Sequence, residues 1–319
     1  MDSKGRLLDI EPDAPRYDKP DFLGIGAQKA GTGWLYNMLA KHQNIAMPPM
    51  KELHYFDEVE RGVPNRLTSR LFDRSVYNRK WRGIFARKTM RLIGFRIGID
   101  EFRWYLNYLF GHRSMQWYNG LFTDIPGKLS GDITPAYSIL DRPIIKEIHR
   151  ANPRRKIIFL MRDPVERLWS QFRMRYLRHR KRSYGSINEE EILGFLNEPL
   201  LRGEYMRTIR NWSENFPKDQ ILFGFYDELK NDRAGFIGRI VQFLDLDPHR
   251  DVGDMGVIFN KGIHVAIPRE YEKVIYRRYL PMLEELSSYF RDYPTNYPAQ
   301  WLEKGHAVLR DEHTVPASL

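Results

Sequence analysis

A lysine inside a glycine-containing turn is the first place where this chain offers chemistry: Gly26-Ala-Gln-Lys29-Ala30-Gly31-Thr32-Gly33-Trp34. Small residues let backbone N–H groups approach an anion, and a helix starting behind the turn adds its positive end. Lys29 can then reach a bridging oxygen between two anionic groups. The same residues could also form an ordinary strand-to-helix turn with a solvated lysine, because such turns are frequent. A nucleoside-triphosphate loop reads G-x-x-x-x-G-K-[ST]. Gly26 and Gly31 have that separation, but Thr32 stands where the lysine belongs and Gly33 where a hydroxyl would hold Mg²⁺. A second cation, Arg162, ends an apolar run at the point where a metal-binding acidic residue would begin. The pattern is that of a phosphate loop reworked to do without magnesium.

The elements that would position these residues follow from periodicity. Phe22-Leu23-Gly24-Ile25-Gly26 reads as a short buried strand, and Trp34, Leu35, Met38 and Leu39 give the next segment helical spacing. Lys156-Ile-Ile-Phe-Leu-Met161 is continuous and apolar, as a buried parallel strand should be. Asp163-Pro164 then opens a helical pattern through Val165, Leu168, Trp169, Phe172 and Tyr176. Ile45 to Met47 and Ile221 to Phe225 read as further strands, with a helix after the latter. Strands alternating with helices predict an α/β fold, a parallel sheet flanked by helices. Residues 1–20 form a polar arm and residues 21–319 a single domain. Its rhythm is broken at 58–128, a basic, aromatic helical insertion with 14 Lys/Arg against 6 Asp/Glu.

Composition narrows the class. With 319 residues and 42% hydrophobic content the chain can bury a full core. Its net charge of +10 points to an anionic partner without choosing one. The absence of cysteine excludes disulfides and thiolate metal sites and suits a reducing, cytoplasmic compartment. The first residues do not read as a signal peptide, and no stretch approaches the roughly 18 apolar residues of a membrane span. The histidines show no metal-ligand spacing, and no nucleic-acid-binding signature is present.

Lys29-Ala-Gly-Thr-Gly-Trp-Leu35 resembles the 5′-phosphosulfate loop, K-x-G-T-[ST]-W-L, of sulfotransferases that use 3′-phosphoadenosine 5′-phosphosulfate (PAPS). Arg162-Asp-Pro-Val-Glu-Arg-Leu-Trp-Ser170 resembles their 3′-phosphate element, R-x-P-x-x-R-x-x-S. Further segments are similar to the branch containing heparan sulfate N- and O-sulfotransferases and soluble bacterial relatives. They are Lys51-Glu52-Leu-His54-Tyr-Phe56, Gly131-Asp-Ile-Thr-Pro-Ala-Tyr137, Gly203-Glu-Tyr205 through Trp212 to Phe216-Pro217, and Asn260-Lys261-Gly262. Two departures stand out: Gly33 where the family often has a hydroxyl residue, and Ile133 where it often has a lysine.

The resemblance implies a P-loop-like 5′-phosphosulfate loop, PAPS as co-substrate without a metal, and sulfuryl transfer to a hydroxyl or amine of an unidentified acceptor. It makes Lys29 the group that steadies the bridging oxygen. Ala30, Gly31, Thr32, Gly33 and Trp34 join it around the donor, although Trp34 could simply pack the helix onto the sheet. Glu52 becomes the candidate general base and His54 its rival; two residues apart on an extended segment, the two would also face the same side and could act together. Alternatively, Glu52 is a helix-start or surface carboxylate paired with Lys51. Arg162 and Ser170 would take the 3′-phosphate, unless Arg162 merely pairs with Asp163 or Glu166. Lys261 and Gly262 would close over the nucleotide's 3′ end. The insertion either contacts an anionic membrane, a polyanion or the acceptor, or is a lid with solvated arginines. Two other classes remain open, a P-loop nucleotide kinase or ATPase and a non-catalytic polyanion-binding module.

Overall fold

Phe22–Gly26 (β1) is the central strand of an all-parallel, five-stranded sheet in the computed structural model, which describes residues 19–63, 83, 86–87, 90, 98–123, 125–198, 201–248 and 265–311. The other strands are Ile45–Ala46 (β2), Leu129–Ile133 (β3), Lys156–Met161 (β4) and Ile221–Phe225 (β5), and the order across the sheet is β2-β3-β1-β4-β5. Every residue of β1 and of β5 is buried, because helices cover both faces. That is why these strands read as unbroken apolar runs instead of alternating ones.

The strand order locates the site. From β1 the chain moves to one side of the sheet for β2 and β3, then crosses over to β4 and β5 on the other. The crossover makes the carboxyl ends of β1 and β4 a topological switch point, where a crevice opens between diverging connections. The turn bearing Lys29 leaves β1 there, and Arg162 immediately follows β4.

Within the insertion, Ile99–Phe110 and Met115–Asn119 are helices. Much of its aromatic content is core: Tyr105, Tyr108, Trp117 and Tyr118 are buried, and Trp104 stacks on Tyr108 with ring centroids 5.4 Å apart. Of the basic stretch singled out in the sequence, Arg87 and Met90 are exposed, while Arg82, Lys88 and Arg91 lie outside the described residues. Two helices, Arg269–Tyr289 and Tyr297–Arg310, close the far side of the sheet. Phe290 and Trp301 set their rings 5.2 and 5.7 Å from that of Phe225 on β5. Among the described residues no helix is long and apolar enough to cross a membrane.

Candidate active site

The turn after β1 holds Lys29 and Gly31 in the left-handed backbone region, at φ 73° and 92°. A side chain at Gly31 has no room, because its Cβ would lie 2.8 Å from Leu229 Cδ2. Gly31 caps helix Thr32–Leu39, and Leu35 N–H donates to its carbonyl at 3.1 Å. The amides of the first turn, Thr32, Gly33 and Trp34, have no acceptor within the helix, which makes this turn a candidate anion cradle. Ala30 differs, since its N–H donates to Ala27 O at 3.2 Å. The Trp34 side chain is buried near Phe236, with ring centroids 6.1 Å apart, so it packs the helix and only its main chain belongs to the cradle.

Lys29 Nζ lies 3.8 Å from Met174 Sδ, in a π-helical turn over Met174–His179 that follows helix Pro164–Arg173. Burial, and then the charges of Arg162, Arg178, Arg173 and Lys51, hold its pKa below the usual 10.5. Cations gathered so closely repel one another, and an incoming anion relieves that repulsion. Arg162 joins the cluster directly, donating to Lys29 O at 3.3 Å and lying 4.6 Å over the Tyr226 ring. Its main-chain carbonyl accepts from Tyr205 OH at 2.6 Å, which gives the G-x-Y segment a positioning task. The Arg162 guanidinium also forks onto Glu166 Oε2 at 2.9 and 3.3 Å. Of the ion pairs weighed from the sequence, the one with Glu166 is present, and the same guanidinium reaches the Lys29 turn. Ser170 is half-buried on the same helix. Trp169 Nε1 donates to Val265 O at 2.9 Å, so the chain returns onto this helix just after Lys261 and Gly262, which lie outside the described residues.

Opposite stands the segment with Glu52 and His54. Both are left-handed, at φ 66° and 57°. With Lys29 they make up three of the five non-glycine residues with positive φ among the described residues. Such strain persists only where surrounding structure over-determines it, and it collects at functional sites. The two side chains meet as the sequence predicts, His54 Nε2 lying 3.6 Å from Glu52 Oε2, but paired left-handed residues bring them together, not an extended segment. His54 Nδ1 lies 3.1 Å from Asp57 Oδ2, and Arg61 backs Asp57 at 3.2 Å. Asp57 was not singled out by sequence reasoning; the signal was its i,i+3 relation to His54, which caps helix Tyr55–Glu60.

Lys51 joins the two halves. Its Nζ donates to Thr32 Oγ1 at 3.2 Å and to Glu52 Oε1 at 2.7 Å. Burial alone would raise the Glu52 pKa, but hydrogen bonding to His54 and the Lys51 charge outweigh it and hold the carboxyl well below the usual range. The G-D-I-T-P-A-Y segment holds the Glu52–His54 turn from beneath. Thr134 Oγ1 and the hydroxyls of Tyr118 and Tyr137 all donate to the buried Asp132, at 2.8, 2.9 and 2.8 Å, and Tyr137 OH accepts from Tyr55 N–H at 3.1 Å. Ile133 is buried, its Cγ1 only 2.9 Å from where a Cβ on Gly24 would sit, so it belongs to the core and not to the crevice.

The basic run Arg173–Arg182 divides. Arg175 pairs with Glu198 at 2.6 Å and Arg182 pairs with Glu191 at 2.5 Å, whereas Arg173 and Arg178 contribute to the field on Lys29.

A phosphate-type loop without the triphosphate lysine, at the switch point of a parallel sheet and facing a strained carboxylate–histidine pair, makes this crevice a candidate group-transfer site. The sequence profile described as "Sulfotransferase family" matches residues 20–251, and the chain belongs to that family. It is 25% identical over 299 residues to the human bifunctional heparan sulfate N-deacetylase/N-sulfotransferase 3, covering 86% of this chain and 29% of that protein. It is 29% identical over 153 residues to the mouse heparan sulfate glucosamine 3-O-sulfotransferase 6, covering 46% of this chain and 44% of that protein. The chain thus spans less than half the length of these curated relatives. A solved sulfotransferase from Alicyclobacillus acidocaldarius shares the fold, with a TM-score of 0.51, 21% identity, and 92% of this chain and 96% of that one covered.

Proposed function

We propose that the protein transfers a sulfuryl group from PAPS to a hydroxyl or amine of a carbohydrate, lipid or small-metabolite acceptor, in the cytoplasm. A bond from the acceptor heteroatom to sulfur forms as the bond from sulfur to the 5′-phosphate oxygen breaks, and the acceptor's proton leaves to a base. The observation that carries this reading is the convergence, at one crevice, of the Lys29 cation cluster and the Glu52–His54–Asp57 chain, bridged by Lys51 and Thr32.

In this reading the amides of Gly31 to Trp34 and the Thr32 hydroxyl receive the 5′-phosphate, and Lys29 stabilises the charge growing on the bridging oxygen. Arg162 and Ser170 receive the 3′-phosphate, with Lys261 and Gly262 closing over it. A guanidinium fork suits a phosphate monoester. A sulfuryl group carries about one negative charge where a terminal phosphoryl carries about two, so side-chain cations suffice in place of a divalent clamp. Glu52 takes the acceptor proton, its ring partner His54 held by Asp57.

Calorimetry tests the donor assignment. With EDTA present, 3′-phosphoadenosine 5′-phosphate should bind roughly 10- to 100-fold more tightly than adenosine 5′-phosphate, the worth of charge-assisted bonds to Arg162. Equal affinities, or an absolute need for Mg²⁺, would falsify the assignment and favour the kinase reading.

The insertion is read as an acceptor-side basic surface that also meets anionic membranes or polyanions. Tyr105, Tyr108, Trp117 and Tyr118 are buried and take no part in such a surface. Charge reversal at Arg82, Arg87 and Arg91 together should raise the KM for acceptor and leave that for donor unchanged. Sedimentation with anionic vesicles should weaken as salt rises, since surface attraction falls off within about 8 Å at physiological ionic strength. An unchanged acceptor KM would leave a structural lid.

A further inference from the structure

The profile match ends at residue 251, yet the helix pair beyond it reaches back to the arginine assigned to the 3′-phosphate. Lys304, on helix Tyr297–Arg310, places Nζ 3.4 Å from Asp163 Oδ2, 3.9 Å from Glu166 Oε1 and 3.7 Å from Glu272 Oε1. Asp163 directly follows Arg162 and caps helix Pro164–Arg173 by accepting from Val165 N–H at 2.8 Å. Its other oxygen accepts from Tyr276 OH at 3.0 Å, so both C-terminal helices are tied to this one carboxylate. The docking is tight: a Cβ on Gly305 would lie 2.8 Å from Tyr276 Cδ1, so only glycine lets the Lys304 turn approach so closely.

Glu166 has three cationic neighbours. Its Oε2 holds the Arg162 guanidinium at 2.9 Å, while Lys304 stands on the Oε1 side at 3.9 Å, and Lys230 lies 3.8 Å from Oε2. A phosphate arriving at Arg162 competes with Glu166 for the same N–H groups. Whatever stabilises the Glu166 carboxylate after those bonds are surrendered lowers the cost of that exchange. Lys304 is placed for this, because it is already paired to the neighbouring Asp163 and needs only a small side-chain movement to close on Glu166.

We infer that Lys304 is a positioning residue of the donor site. It takes over Glu166 when Arg162 turns to the 3′-phosphate, which makes the C-terminal helix pair part of nucleotide recognition. The inference rests on the assignment of Arg162 to the 3′-phosphate. Loss of Lys304 removes a positive charge from between two carboxylates that flank Arg162, so Glu166 holds Arg162 more firmly and the field at the phosphate position becomes less favourable. Each contact is partly exposed and individually modest, so the combined effect is tenfold or less and confined to the 3′-phosphate.

The test is a set of titrations on the full chain with 3′-phosphoadenosine 5′-phosphate and with adenosine 5′-phosphate. Lys304→Met should weaken the bisphosphate by roughly three- to tenfold and leave the monophosphate unchanged. Lys304→Arg should restore most of the loss. Glu166→Gln, which frees Arg162, should tighten the bisphosphate, and adding Lys304→Met to it should then change little. A purely structural role would instead weaken both nucleotides together and persist in the Glu166→Gln background; either result overturns the inference. So does a Lys304→Met protein that keeps full discrimination. If the unmodified protein fails to discriminate the two nucleotides, the Arg162 assignment itself falls, and this inference with it.

Discussion

Lys29→Ala should lower the rate of sulfuryl transfer at saturating donor by roughly 10²–10³-fold, the usual cost of removing one preorganised donor from developing charge. Binding of 3′-phosphoadenosine 5′-phosphate should suffer much less, because that product lacks the sulfuryl group and removing Lys29 also relieves its repulsion with Arg162, Arg173, Arg178 and Lys51. Lys29→Gly separates side chain from backbone. At φ 73° glycine is the less strained residue, so this variant should be no less stable to unfolding than the parent, or more stable by up to about 1 kcal/mol, while being equally inactive. The pH profile carries a second signature. Burial and the neighbouring cations hold Lys29 below its ordinary 10.5, so its charge is lost earlier as pH rises in the free protein. Donor phosphates oppose that shift. A basic limb should therefore appear in kcat/KM for donor below pH 10.5 and move upward in kcat. Transfer within tenfold of the parent rate in Lys29→Ala would remove this lysine from the chemistry.

The strands were legible because parallel strands buried on both faces need unbroken apolar runs, as in Phe22–Gly26 and Lys156–Met161. Placing Lys29 and Arg162 in one crevice followed from the alternation of strands and helices, since residues ending adjacent parallel strands meet at the same edge. The Arg162–Glu166 pair was also visible, as one of two near neighbours of opposite charge, four residues apart across the start of helix Pro164–Arg173. What escaped was whatever depends on left-handed backbone or on distant packing. Glu52 and His54 do not lie on an extended segment, and only the turn from left-handed His54 into helix Tyr55–Glu60 brings Asp57 onto the imidazole. The burial of Tyr105, Tyr108 and Trp117 within the insertion depends on tertiary contacts that a density of aromatic residues does not reveal. Lys304 reads as one more charge on an amphipathic helix until Gly305 is found against Tyr276.

Glu52→Gln should slow transfer by roughly 10²–10⁴-fold, the span for a lost general base, with nucleotide affinity nearly intact. The substitution preserves size and removes the charge that Lys51 meets at 2.7 Å. That contact raises an apparent difficulty, since a carboxylate held far below its usual pKa by His54 and Lys51 is a weak base. Lys51 supplies the answer: its Nζ also touches Thr32 Oγ1, at the cradle proposed for the 5′-phosphate. An anion there draws the lysine's field away from Glu52 and restores basicity when donor is in place, so proton removal is coupled to donor binding. Lys51→Met should then raise the Glu52 pKa permanently. A carboxylate serves as base only above its pKa, so the acid limb of kcat/KM should shift to higher pH in that variant. His54→Gln should retain part of the rate, because Glu52 remains. Should Glu52→Gln keep a near-normal rate while His54→Ala loses it, the imidazole is the base. Asp57 would then be the group that orients it, and Glu52 a counter-charge for Lys51.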